Sequence, residues 1–194
     1  MSTTPLFIQD PPLQPDTDLP GDDNYLLFCY KSAKAQPDLD EAEDICYADD
    51  YQDENKSAAL ERKLNLAGIF RKHEPQLRCE DIDNFDDYFD PETETREEFY
   101  EVIFMESGSE EQLFEISIYD QFVMIEIPFP AKESDTEAYF TKGLGYVRAL
   151  AEAEGYFVLD AMTDQVYDAR TTPNHGYQIY RALAEKMRNT PAED

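Results

Sequence analysis

The chain has no tryptophan, two histidines, three cysteines, seven glycines and only 16 basic residues among 194. Each scarcity removes a class of function. Phosphate backbones are held by clusters of Lys and Arg. With 44 Asp and Glu against those 16 bases the net charge is −28, so direct nucleic-acid binding is excluded and an anionic membrane surface is repelled. No stretch approaches the roughly 20 apolar residues of a membrane span. The N-terminus lacks a basic region followed by an apolar run, so no signal peptide is expected. Cys29, Cys46 and Cys79 are odd in number with no close pair, which argues against a disulfide framework and for a reducing compartment. The expected location is cytoplasmic.

Catalytic chemistry is equally thin. His73 and His175 are about a hundred residues apart and the cysteines lack ligand spacing, so no zinc site is expected. There is no G-x-S-x-G elbow. Gly143-x-Gly145 lacks a third glycine and falls inside a helical pattern, so it is not a phosphate loop. Cys46 or Cys79 meets a histidine only if the fold brings them together; core cysteines and surface histidines are the expectation. With 44 acids a carboxylate pair exists at every separation, so glycoside hydrolysis gains no support. Without tryptophan, tyrosine is the main remaining sugar-stacking platform. No catalytic residue, cofactor or metal is expected, and the chain reads as a binder, not an enzyme.

What the sequence does have is acid and aromatic residues. Residues 1–100 hold 26 acids and 9 bases, residues 101–194 hold 18 and 7. Such a field speeds encounter with basic partners and also keeps a protein soluble. Apolar residues make up 41% of the chain, with 13 Tyr and 12 Phe, enough for a core and against global disorder. The length suits one domain over residues 23–188, an extended segment over 1–22 with prolines at 5, 11, 12, 15 and 20, and a frayed end over 189–194.

Residues 25–30 form a continuous apolar run that fits a buried strand, with Cys29 a structural thiol. Asp38 or Asp40 caps a short helix to about Tyr47; residues 49–55 are a loop. A helix follows from Lys56 to about His73, with Leu60, Leu64 and Ala67 on one stripe, Leu66, Ile69 and Phe70 beside it, and Lys63, Arg71, Lys72 and His73 toward its C-terminal half. Residues 74–95 read as a long loop. Residues 99–105, 113–119 and 122–127 read as three antiparallel strands with turns at 107–109 and 120–121, ended by Pro128 and Pro130. Ser134 and Glu137 match a capping box. The helix it starts runs to about Glu154, burying Phe140, Leu144, Val147, Leu150 and Ala151, with Gly155 as its left-handed cap. Gly143 and Gly145 within it permit close packing on a strand. Short strands at 156–159 and 165–167 flank a turn at 160–164. A last helix from Tyr177 to about Arg188 turns Tyr180, Leu183, Ala184 and Met187 inward. The expected fold class is α+β, a mainly antiparallel sheet with helices packed on it.

The sharpest local feature is residues 80–98, with ten acids against the single base Arg96 and aromatics at 85, 88, 89 and 99. Asp81-x-Asp83 begins like a calcium loop. Phe85 then occupies the third ligand position and no glycine stands at the sixth, so a specific metal site is not expected. Acids steer and aromatics anchor in an interface with a basic target. The candidate partner-binding residues are Asp81, Asp83, Asp86, Asp87, Tyr88 and Asp90. The same pattern also describes a solvated loop pinned to the core by its aromatics.

In the C-terminal third, Tyr146, Ala149-Leu150-Ala151, Gly155-Tyr156-Phe157-Val158-Leu159-Asp160, Thr163 and Val166-Tyr167-Asp168 resemble a pattern in small acidic bacterial proteins. There a helix leads into Gly-Tyr and, three residues on, Asp-Pro-Gln. The strand pair over residues 113–127 resembles the same group, which includes immunity-type proteins found beside polymorphic and type VI secretion toxins. This chain departs from the pattern with Ala161-Met162 in place of Pro-Gln and Asp164 in place of Gly. The resemblance implies an immunity protein (antitoxin) of bacterial competition that occludes the active site of a basic protein toxin or effector domain. It implies no catalytic residues. The alternative is an acidic DNA mimic that regulates a nucleic-acid-binding protein. Oligomeric state is not legible.

Overall fold

The computed structural model describes residues 24–47, 56–79, 102–106, 114–172 and 174–189. The expectations for residues 1–22, the loop at 49–55, the acidic stretch 80–98, the turn at 107–109 and the tail beyond Asn189 lie outside them.

The apolar run near the N-terminus forms β1 (Asn24–Tyr30). Leu27, Phe28, Cys29 and Tyr30 are all buried, so the strand is covered on both faces and shows no polar alternation. It occupies the interior of the sheet. The other strands are β2 (Leu77–Cys79), β3 (Val102–Glu106), β4 (Glu115–Ile118), β5 (Phe122–Pro128), β6 (Phe157–Asp160) and β7 (Gln165–Tyr167). Their order across the sheet is β2-β3-β4-β5-β1-β6-β7, and every pairing is antiparallel. The helices are α1 (Leu39–Cys46), α2 (Lys56–His73), α3 (Thr136–Glu154) and α4 (Tyr177–Asn189), with a 3-10 turn at Glu133–Asp135. This is an α+β fold with helices packed on an antiparallel sheet.

One face of the sheet carries Tyr25, Leu27, Cys29, Ile116, Ile118, Val123, Ile125, Ile127 and Val158, packed with Leu66, Ala67 and Phe70 of α2, Phe140, Leu144, Val147 and Leu150 of α3, and Ile179, Tyr180 and Leu183 of α4. Each such fully buried aliphatic side chain contributes about 1.5–3 kcal/mol. Tyr180 also donates from its hydroxyl to the Pro128 carbonyl at 2.7 Å and stacks on Phe129 with centroids 5.3 Å apart, fixing α4 to the end of β5. The opposite face holds Phe28, Tyr30 and Leu159 against Ala42 and Cys46 of α1.

Several expectations are corrected. Residues 77–79 are strand β2, not loop. Three residues are too few to show a period, and their order comes from pairing with β3. Ser134 does not cap α3. The helix starts at Thr136 after the 3-10 turn, with Asp135 at the cap making no side-chain cap bond, and Ser134 Oγ donates to Asp135 Oδ1. In α2, Leu64 is exposed, whereas Ala59, Lys63, Leu66, Ala67 and Phe70 are buried; that spacing is the true inward stripe. Met187 of α4 is exposed. Asp160 is the last residue of β6, not part of the turn.

The two glycines of α3 have different neighbours. A Cβ at Gly143 would overlap the Ile127 side chain of β5, whereas Gly145 faces the His73 ring of α2 and not a strand. At the helix end, Gly155 takes φ 73° and its N–H donates to the Ala151 carbonyl. We expect Gly143→Ala to destabilise the fold by about 1 kcal/mol, because overpacking outweighs the helix-propensity gain. Gly68→Ala, on an exposed face of α2 with nothing within 4 Å of the added carbon, should stabilise by about 0.5–1 kcal/mol. Urea unfolding of the two variants checks both signs.

Candidate functional site

The predicted partner-binding residues Asp81, Asp83, Asp86, Asp87, Tyr88 and Asp90 lie outside the described residues. The described residues on either side of them are Cys79, the last of β2, and Val102, the first of β3; the two strands pair antiparallel with Cys79 opposite Phe104.

Within the domain, two acids missed as structural residues hold buried positions. Asp120, in the β4–β5 turn, accepts from Lys63 of α2 at 2.7 Å, and both residues are about nine-tenths buried or more. Beside them Arg62 Nη2 donates to the Tyr119 carbonyl at 3.4 Å. Two adjacent cations of α2 thus grip one hairpin turn. The sequence held a signal for this: Lys63 falls on the stripe of Ala59, Leu66, Ala67 and Phe70, where a cation needs an internal acid.

The second acid is Asp160, which is fully buried. Its Oδ2 accepts from the Tyr25 hydroxyl at 2.6 Å and its Oδ1 from the Met162 backbone N–H at 3.0 Å. Gly176, ahead of α4, comes so close that a Cβ there would sit 2.6 Å from the Tyr25 hydroxyl oxygen and 2.8 Å from Asp160 Oδ2; its φ of 78° also favours glycine. Asp160 therefore joins β1, β6 and the turn before α4. Its bonds to Tyr25 and Met162 give it a structural role. His175 lies next to this junction with its ring 4.2 Å from that of Tyr167.

Cys29 and Cys46 are buried and free. Burial pushes the Cys46 thiol up to about 12, and it pushes Cys29 up further, with Cys46 adding to the effect. Neither is a thiolate at neutral pH, so neither is an activated nucleophile. Burial likewise raises the phenols of Tyr146 and Tyr156 to about 12, and those of Tyr30 and Tyr180 more. Among the described residues no three His, Cys, Asp or Glu side chains gather as a metal site, and no helix is long and apolar enough to cross a membrane. An open cavity of about 260 Å³ is lined by Ala58, Glu61, Arg62, Asn65, Leu66 and Glu154. That is smaller than the usual small-molecule site of roughly 300–1,000 Å³, and Glu154 is engaged by Lys31 at 2.8 Å.

On the surface, α1 carries four acids and no base in eight residues. Asp38 caps it, accepting from the Glu41 N–H at 3.0 Å, and Glu41 is drawn back to Ser32 and the Ala33 N–H. Asp40, Glu43 and Asp44 are exposed. Next to them Tyr47 is 48% exposed, its ring edge-on to Phe28. Burial, and then the negative charges of Asp164 and Glu43 nearby, raise its phenol.

No protein-family model, curated protein or solved structure matches the chain.

Two outcomes follow from this interior. Replacing Lys63 with Met alone should cost about 3–5 kcal/mol, because it leaves a buried acid without its cation; Lys63→Met with Asp120→Leu should recover much of the loss. A double-mutant cycle in urea measures it. The phenols and thiols bind their protons more tightly folded than unfolded, so their contribution is complete below pH about 9–10 and is lost as pH rises toward 12. The part of the tyrosinate absorbance that belongs to the buried phenols should therefore appear together with the loss of circular dichroism.

Proposed function

We propose that this protein is an immunity-type inhibitor that binds a basic toxin or effector domain and blocks its active site or substrate entrance. One observation carries the reading: its carboxylates fall into two populations. Asp120 and Asp160 are buried and held by internal donors. Asp40, Glu43 and Asp44 are exposed and form no ion pair among the described residues. The outward set joins a chain of net charge −28 whose field accelerates encounter with a basic surface. The resemblance of residues 113–168 to immunity-type proteins supplies the class of partner. Asp81, Asp83, Asp86, Asp87, Tyr88 and Asp90 are the proposed contact set, with acids steering and the aromatic anchoring. Blockade is steric, so no cofactor and no catalytic group is required, and the cytoplasm is the compartment in which the inhibitor meets its target.

The test starts by retaining binding partners on the tagged chain and purifying each one. The expected partner is basic, arrests growth when expressed alone and is harmless when co-expressed with the chain. Association should slow by about tenfold or more as salt rises from low to several hundred millimolar, and charge reversal at Asp83, Asp86, Asp87 and Asp90 should weaken the complex. A salt-insensitive complex removes the electrostatic part. Retention only of DNA-binding proteins that duplex DNA displaces replaces the inhibitor reading with that of a DNA mimic.

A further inference from the structure

Charge is segregated between the helices on the two sides of the sheet. On one side α2, α3 and α4 together hold ten Lys and Arg against five Asp and Glu, Lys63 among them being buried with Asp120. On the other side α1 holds four acids and no base. The three-helix layer thus reverses the balance of the chain, whose net charge is −28. A basic body approaching the domain is turned away from that layer and drawn to the side of α1.

The acids of α1 are of two kinds. Glu41 turns back to Ser32 and the Ala33 N–H. Asp40, Glu43 and Asp44 are exposed and form no ion pair among the described residues. With Tyr47 they fall at i, i+3, i+4 and i+7, along one face of the helix. This stripe works against the helix that carries it. Asp40 repels Glu43 and Asp44 at those spacings, and Glu43 and Asp44 stand in the last turn, at the negative end of the macrodipole. The stripe ends on an aromatic side chain that is half exposed, Tyr47. Its ring is edge-on to Phe28 at 5.4 Å, and Phe28 is edge-on to Phe122 at 5.6 Å. Phe122, and Met124 opposite Phe28 in register, are partly exposed, so an apolar strip continues from Tyr47 onto the sheet.

We propose that the outer face of α1 is a docking surface for a basic segment of a partner protein. The segment's Lys and Arg side chains pair with Asp40, Glu43 and Asp44, and its apolar side chains lie on Tyr47, Phe122 and Met124. Charge complementarity selects this occupant. Two copies of the chain, each with a net −28, repel one another, and an anionic membrane or nucleic acid meets a surface of its own sign. The inference rests on the reading of the chain as a binder of basic proteins, and it assigns a second contact surface, apart in sequence from residues 80–98.

The test uses the full chain. It has no tryptophan, so Tyr47→Trp at this half-exposed position supplies a single fluorescent reporter. The probe is a synthetic peptide alternating Arg and Leu, compared with one alternating Arg and Ser of equal length and charge. The Leu peptide should shift the tryptophan emission and bind about tenfold more tightly than the Ser peptide. Glu43→Gln with Asp44→Asn should weaken binding of the Leu peptide about tenfold while raising the urea midpoint of the free protein, since the repulsion within α1 is relieved. An emission that stays unmoved at saturating peptide, equal binding of both peptides or a lowered urea midpoint would overturn the proposal. So would an emission that shifts with protein concentration alone, which assigns the face to a second copy, or on deletion of residues 1–22, which assigns it to this chain's own N-terminus. If charge reversal at Asp83, Asp86, Asp87 and Asp90 abolishes binding and the Glu43/Asp44 variant leaves it unchanged, this surface fails and the basic-partner reading stands. If neither peptide binds, both fail.

Discussion

The structure depends on an interior strand whose partners are far away in sequence. β1 pairs with β5 on one side and β6 on the other, and its side-chain bonds reach 102 residues to Glu126 and 135 residues to Asp160. The ring of Tyr25 meets Phe140 and Tyr180, both more than a hundred residues on. The hairpins β4–β5 and β6–β7 form from local contacts, but they join one sheet only when β1 enters between β5 and β6. Such non-local pairing incurs loop-closure entropy before burial repays it, so folding is slow relative to a helical domain of the same size. The Tyr25–Asp160 bond and the approach of Gly176 complete this step, because they hold β1, β6 and the turn into α4 at one point.

Charge imposes the second constraint. A domain with a net −28 repels itself, and each acid drawn inside adds a desolvation cost. The described interior meets this sparingly. Asp120 enters with Lys63 as its counter-ion, and Asp160 enters with a hydroxyl and a backbone N–H as donors. Tyrosines take part as well, Tyr25 and Tyr180 placing their hydroxyls on Asp160 and on the Pro128 carbonyl. Tyr25, Tyr30, Tyr146 and Tyr180 are fully buried, neutral at physiological pH, and large enough to join elements through edge-to-face contacts such as Tyr25–Phe140 and Phe70–Tyr146.

Elements with a strong local signal were legible in the sequence. The apolar run of β1, a cap at Asp38 or Asp40, the extent of α2 and the inward residues of α3 from Phe140 to Ala151 follow from periodicity and capping chemistry, and the structure bears these out with Asp38 as the cap. What depends on distant pairing was not legible. β2 is three residues long and owes its order to β3. Lys63 was read as a dipole-facing surface cation because its partner, Asp120, is 57 residues away and is recognised only once the β4–β5 turn is docked. Asp160 was placed in a turn because its ligand, Tyr25, belongs to a different part of the chain. The acidic candidate residues 81–90 are legible as composition alone; their geometry is outside the described residues.

The division among the carboxylates bears on why so much charge is present. An acid that the fold requires is recognisable by its donors: Asp38 closes the first turn of α1, Glu41 gathers Ser32 and Ala33, and Asp160 fixes Tyr25. Asp40, Glu43 and Asp44 have no such ties among the described residues and add repulsion within one short helix. Net charge of a few units suffices for solubility, so solubility alone does not call for three exposed acids in one eight-residue helix.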